Sequence, residues 1–183
     1  MTLTIIVLVV LAVVLWGFYV SWRASRLDRL HNRVEAARTA LDLALVRRAS
    51  AASELASSGL LDPAASLLLG DAVRRVREVG QAERDLAESD LTRLLRATLG
   101  NPDFRSEFAG DDAASHGGAA ELVAEVEAAA QQVFIARKFY NDLAGRTVDA
   151  RRRPLARVLH LSGSAKQPEF FDMDDAMVGE SIE

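Results

Sequence analysis

The chain has 183 residues, half of them hydrophobic and 26% charged, with no cysteine and a formal net charge of -4, which bounds one modest domain plus an accessory segment. Without cysteine there is no disulfide framework, no thiolate metal site and no Cys nucleophile, which excludes a stapled secreted scaffold and a thiol redox protein. All 48 charges lie beyond Val20, and six acids fall in the last 16 residues with no base among them; the body between is nearly balanced and lacks the strongly basic face that nucleic-acid binding requires.

Leu3 to Val20 is an uncharged stretch of 18 residues. At about 1.5 Å per helical residue it covers roughly 27 Å of a hydrocarbon layer about 30 Å thick. Twelve of its residues are Leu, Ile or Val, which on an insertion scale sums to roughly -4 to -7 kcal/mol. A cleaved signal peptide fits less well. The n-region is only Met1 and Thr2, and cleavage after Ser21 or Ala24 would place Tyr19 or Trp22 where a small residue is preferred. Trp16, Tyr19 and Trp22 cluster at the far end, at the depth of lipid headgroups, and Arg23, Arg26 and Arg29 follow. By the positive-inside rule this is the cytoplasmic end, which predicts an outside N-terminus and a cytoplasmic remainder in the cell (inner) membrane. The arginines read either as a solvated or snorkelling helix face or as a site for anionic lipid headgroups.

Beyond the anchor, Leu27, Leu30, Val34, Ala37, Leu41, Ala44, Arg48, Ala51 and Leu55 recur at steps of three and four, a helix with one buried stripe. Neither Gly nor Pro lies between Val20 and Leu27, so the anchor and this helix form one rod up to Ser57. Gly59 offers a left-handed cap there, and Asp62-Pro63 reads as the cap and first position of the next helix. Arg48 on the seam needs a carboxylate or a bundle edge, and its functional reading is register control.

A second helix is expected from Pro63 to about Leu99, burying Leu69, Ala72, Val76, Val79, Ala82 and Leu86, and after a drift in phase Leu91, Leu94 and Leu95. Its outer face would pair Arg74 with Glu78 and Arg84 with Glu88, each four apart. Gly100-Asn101-Pro102 stops it, and Asn101 can cap a short turn containing Phe104 and Phe108. Gly110 to Gly118 reads as a small-residue loop.

The third long helix carries Ala119, Leu122, Val126, Ala129, Val133, Ala136, Tyr140, Leu143 and Thr147 at alternating steps of three and four. Pro154 ends or kinks it near Arg153, and Leu155 to Leu161 adds a turn or two. No stretch alternates as a strand does. The expected class is all-α: an N-terminal transmembrane helix (1–22) continuing into an antiparallel bundle of three long helices plus short turns (23–161), then an acidic, loosely held tail (162–183). Alanine-rich seams bury little area, so a homo-oligomeric coiled coil remains the competing arrangement.

The residues that could carry chemistry form no set. His31, His116 and His160 have neither the HExxH spacing nor a carboxylate at a ligand interval, and no Gly-rich phosphate loop or GxSxG elbow occurs. Asp111 and Asp112 sit next to a helix start, where a capping role suits them better than acid-base work. No catalytic, cofactor or metal site is expected.

One stretch carries a resemblance. Ala136-Arg137, Tyr140-Asn141, Pro154-Leu155-Ala156 and Phe170-Phe171-Asp172 resemble the C-terminal signature of the LemA family, as does the anchor running into an unbroken helix. The family's Asp-Leu-Ile-Pro-like step is displaced here to Pro63, and arginines around Arg151 replace a second Asn, so the chain resembles a divergent, actinobacterial-type member. Its arginine-rich, alanine-rich usage fits a GC-rich bacterial genome. The resemblance implies a helical bundle held at the membrane, an outside N-terminus and no established catalytic activity. Arg137, Tyr140, Asn141, Pro154, Phe170 and Phe171 read as a packing and loop-anchoring cluster, or alternatively as a partner or ligand surface. The function expected is a single-pass, noncatalytic scaffold or interaction module, with anionic-lipid sensing or envelope stress as the alternative.

Overall fold

The computed structural model describes residues 2–80, 82–102, 104, 117–152 and 167–174. Four long helices stand among them: α1 (Thr2–Ser57), α2 (Pro63–Glu78), α3 (Arg84–Leu99) and α4 (Gly117–Arg152). No strand occurs among the described residues. The chain is all-α, with an apolar N-terminal helix that continues unbroken into a helical bundle.

The ends of these helices follow from local chemistry. α1 stops at Ser57, and Gly59 takes φ 78°, a left-handed conformation that costs glycine nothing. Asp62 then adopts an extended backbone, and its carboxylate accepts from the N–H groups of Ala64 at 2.9 Å and Ala65 at 3.0 Å. This satisfies two of the orphan donors at the start of α2, while Pro63 has none to satisfy. Gly100 closes α3, its N–H donating to the Arg96 carbonyl at 2.8 Å. α4 ends at Arg152, two residues before Pro154. Pro154, Phe108, Asp111, Asp112, His116, His160 and the expected turn over 155–161 lie outside the described residues.

One expected element divides in two. The helix anticipated over 63–99 breaks at Val79, which is extended, and Gly80, Ala82 and Glu83 make the turn before α3 begins. Gly80 is the poorest helix former in this stretch, and the phase drift in the apolar pattern is the mark of the break. Ala82 and Leu86, expected in the core, are exposed, Leu86 at 68%. Val76 and Val79 are half-buried, while Leu69, Ala72, Leu91 and Leu95 are buried as the spacing requires.

Two compact units share the helices. The first comprises Met1–Arg38 and Tyr140–Phe170, the second Thr39–Phe139 and Phe171–Glu183. In the second unit Ala52 and Leu55 of α1, Leu69 and Val73 of α2, Leu91 and Leu95 of α3, and Val126 and Ala129 of α4 form a single core, with Leu122 and Phe104 packed against it. In the first unit Val34, Ala37, Tyr140, Leu143, Ala144 and Thr147 are buried. Of the two long seams, only Leu30, Leu122 and Ala136 are less than fully buried, apart from Leu27, whose side chain is not described.

Candidate functional site

The apolar end of α1 is the first candidate. Thr2–Trp22 is long and apolar enough to cross a membrane, with mean hydropathy 2.8, and none of it is buried inside the fold. A core helix would be covered on at least one face; this one presents Leu, Ile and Val on all sides. Trp16 and Tyr19 lie one helical turn apart with ring centroids at 6.2 Å, and Trp22 is exposed a turn further on. Arg29 is exposed on the same helix. Arg23 and Arg26 also stand on α1, with side chains outside the described residues.

The second candidate surrounds Tyr140 in the first unit. Its ring is buried, and its hydroxyl donates to the Glu169 carbonyl at 2.6 Å, meeting the need of a buried phenol for a partner. Asn141, next in the helix, is half-buried. A cleft of about 290 Å³ is bounded by Tyr140, His31, Glu35, Arg38, Gln167 and Pro168. Phe170, exposed at 56%, lies beside Gly145, where an added methyl would meet its ring at ordinary contact distance, 3.8 Å. In the second unit Arg137 donates to the Phe171 carbonyl at 3.5 Å. Arg137, Tyr140 and Asn141 thus stand on α4 and Phe170 and Phe171 in the 167–174 segment, with Tyr140 and Arg137 each bonded to a carbonyl of that segment.

The third arrangement lies in the core of the second unit. Arg48 does reach a carboxylate: its Nη2 pairs with Glu88 Oε2 at 2.6 Å and its Nη1 donates to Thr92 Oγ1 at 2.7 Å. Both charged side chains are almost wholly buried, at 2% and 1% exposure. Glu88 therefore does not sit on an outer face with Arg84. The expected Arg84–Glu88 pair is present but long, at 4.0 Å to Glu88 Oε1, and Arg84 pairs more closely with Asp42 at 3.0 Å. On α3 Glu88 shares the buried face with Leu91 and Leu95, three and seven residues on.

Burial pushes the Glu88 carboxyl up, against the pull of Arg48, and pushes the Arg48 guanidinium down; the guanidinium remains charged, since its ordinary value is so high. Among the described residues, Glu88 Oε1 and Arg48 Nε have no hydrogen-bond partner. Glu88 also borders a cleft of about 330 Å³ with Val76, Val79, Arg77 and Arg84. The expected surface pair Arg74–Glu78 is present at 2.7 Å, and Arg74 also bonds Asp71. Among the described residues no group of three or more metal-ligating side chains gathers.

Comparison with known proteins adds no assignment: no family model matches the chain, and searches of curated proteins and of solved structures return no significant match.

Proposed function

We propose that this chain is a single-pass membrane protein whose helical bundle lies on the cytoplasmic face and serves as a noncatalytic scaffold or interaction module. One observation carries the reading: a helical segment apolar around its whole circumference, unburied from Thr2 to Trp22, runs directly into packed helices. Such a surface has no favourable place in water. The aromatic trio followed by arginines supports the orientation with the N-terminus outside. The resemblance to the LemA family, carried by Arg137, Tyr140, Asn141 and the two phenylalanines, supports the same assignment, and a bacterial inner membrane is the setting it implies.

Alkaline extraction of membranes containing the full chain tests the anchor: the protein is expected in the pellet, and its release into the aqueous fraction would overturn the reading. Protease added to intact cells is expected to leave the C-terminal part protected. Crosslinking in native membranes, read by mass spectrometry, identifies what the bundle touches, whether another protein or a second copy.

A second reading is favoured by the exposed Arg29 and Arg33 that follow the anchor along α1. Each basic residue near an anionic surface contributes about 1 kcal/mol, so this stretch would sense acidic lipid, as an envelope-stress component would. Anchoring efficiency that does not change with the acidic lipid content of reconstituted vesicles would exclude it.

A further inference from the structure

The acidic segment expected to be loosely held contains four residues of the second unit, Phe171 to Asp174, that take no regular structure and are nonetheless gripped. Their exposure alternates: Phe171 is half-buried, Asp172 exposed, Met173 only 5% exposed and Asp174 exposed. This is the period of an extended strand with one apolar face. Asp172 N–H donates to Asp85 Oδ2 at 3.2 Å, and Asp174 N–H donates to Ser89 Oγ at 3.0 Å. Alternate N–H groups of an extended chain point the same way, so both can address one helix. The spacings also match: four helical residues rise about 6 Å, and two extended residues about 6.6 Å. Arg96, further along α3, pairs with Asp174 Oδ1 at 3.1 Å, and Arg137 reaches the Phe171 carbonyl.

Helix side chains thus hold the main chain of an extended segment, one methionine supplies apolar burial and one ion pair selects an acid. That division, with backbone contacts for grip and side-chain pockets for choice, is how peptide-binding surfaces work. Resting on the reading of the bundle as an interaction module, the geometry points to the Asp85–Ser89–Arg96 face of α3 as a peptide-docking surface that Phe171–Asp174 occupies from within the chain. Its external partner is an extended acidic peptide presenting a methionine-sized side chain between two carboxylates. The internal segment competes with that partner, and the match between Arg96 and an acid sets the charge the partner must carry.

The test uses the full-length chain in detergent micelles and a fluorescent synthetic peptide of residues 168–174. Met173→Asp puts a charge where the thioether is buried and so vacates the surface; Asp174→Lys, at an exposed position facing Arg96, does so without touching a buried side chain. Either variant is expected to bind the peptide at least about tenfold more tightly than the wild-type chain, the change that one buried side chain or charged contact produces. Adding Arg96→Glu to either variant is expected to abolish that gain, and a peptide with Asp in place of its methionine should not bind. Failure of the peptide to bind both vacated variants, or binding unaffected by Arg96→Glu, would overturn the proposal. So would crosslinking that seats the 171–174 segment of a second copy on this face. Any of these failures leaves the membrane extraction result untouched, so the docking surface and the anchor are judged separately.

Discussion

Arg48 and Glu88 are the residues whose chemistry is least forgiving. Replacing Arg48 by methionine fills similar space but strands the carboxylate, and losing one partner of a buried pair costs about 3–5 kcal/mol. Leucine added at Glu88 removes the stranded charge, so Arg48→Met/Glu88→Leu is expected to recover all of that loss, to within about 1 kcal/mol of the wild type or above it. Urea unfolding followed by circular dichroism in detergent measures both. The pH dependence follows from the direction of the Glu88 shift. A carboxyl held above its ordinary range by burial binds a proton in the folded state that the unfolded chain has already released. Its stabilising contribution is therefore complete at low pH and is lost as pH rises through the raised value. Removing Arg48 removes the main pull in the opposite direction, which raises the value further. The deficit of Arg48→Met should then be smaller near about pH 5 than near pH 8; a constant gap across that range would show that Glu88 is not the titrating group. Tyr140→Phe is a milder case. It deletes the bond to the carbonyl of Glu169, an exposed residue that water can serve, so the loss should sit near the lower end of about 0.5–1.5 kcal/mol.

At the level of elements, the link between α1 and α2 gives the clearest test of local control. Asp62→Ala removes a carboxylate serving two backbone donors and should cost about 1 kcal/mol. Gly59→Ala forces an L side chain to φ 78° and should cost about 1–2 kcal/mol. Both losses should appear in urea unfolding with no change in membrane attachment; no effect at Asp62 would mean that α2 is held by packing alone. The same link shows why parts of this fold are legible in sequence. Gly, Asp and Pro act within a few residues of themselves, and the seams of α1 and α4 repeat over many turns. Val34 through Leu55 and Val126 through Thr147 could therefore be placed in the core by spacing. The turn at Val79–Glu83 was not legible in the same way, because a single glycine in an otherwise helical run breaks a helix only when tertiary packing gains from the reversal. Counting four from Arg84 puts Glu88 outside, whereas it lies inside with Leu91 and Leu95 because its closest partner, Arg48, is 40 residues away on α1. The docking of Phe171–Asp174 was legible only in part: the two phenylalanines mark an anchoring segment, but its acceptors on α3 do not show. Nothing in an acidic, irregular segment announces that Asp85 and Ser89 will accept its N–H groups.

For the whole molecule, the decisive question is whether the apolar end of α1 is covered by lipid or by protein. The two answers predict opposite consequences for one variant. Val9 and Val10 are exposed near the middle of the apolar span. Arginine at a helix centre costs about 2.5–3.5 kcal/mol on an insertion scale, so Val9→Arg/Val10→Arg adds roughly 5–7 kcal/mol and cancels a gross insertion gain of similar size. If lipid covers the span, the double variant leaves the membrane pellet on alkaline extraction. The packed core of Leu55, Leu91, Val126 and their neighbours contains no residue of this segment, so the helical signal and its urea midpoint should stay within experimental error of the wild type. If protein covers the span, two buried arginines without partners would destroy the fold together with attachment. Loss of attachment with the core intact is the outcome that an anchor requires, and loss of both would assign this helix to a hidden protein interface instead.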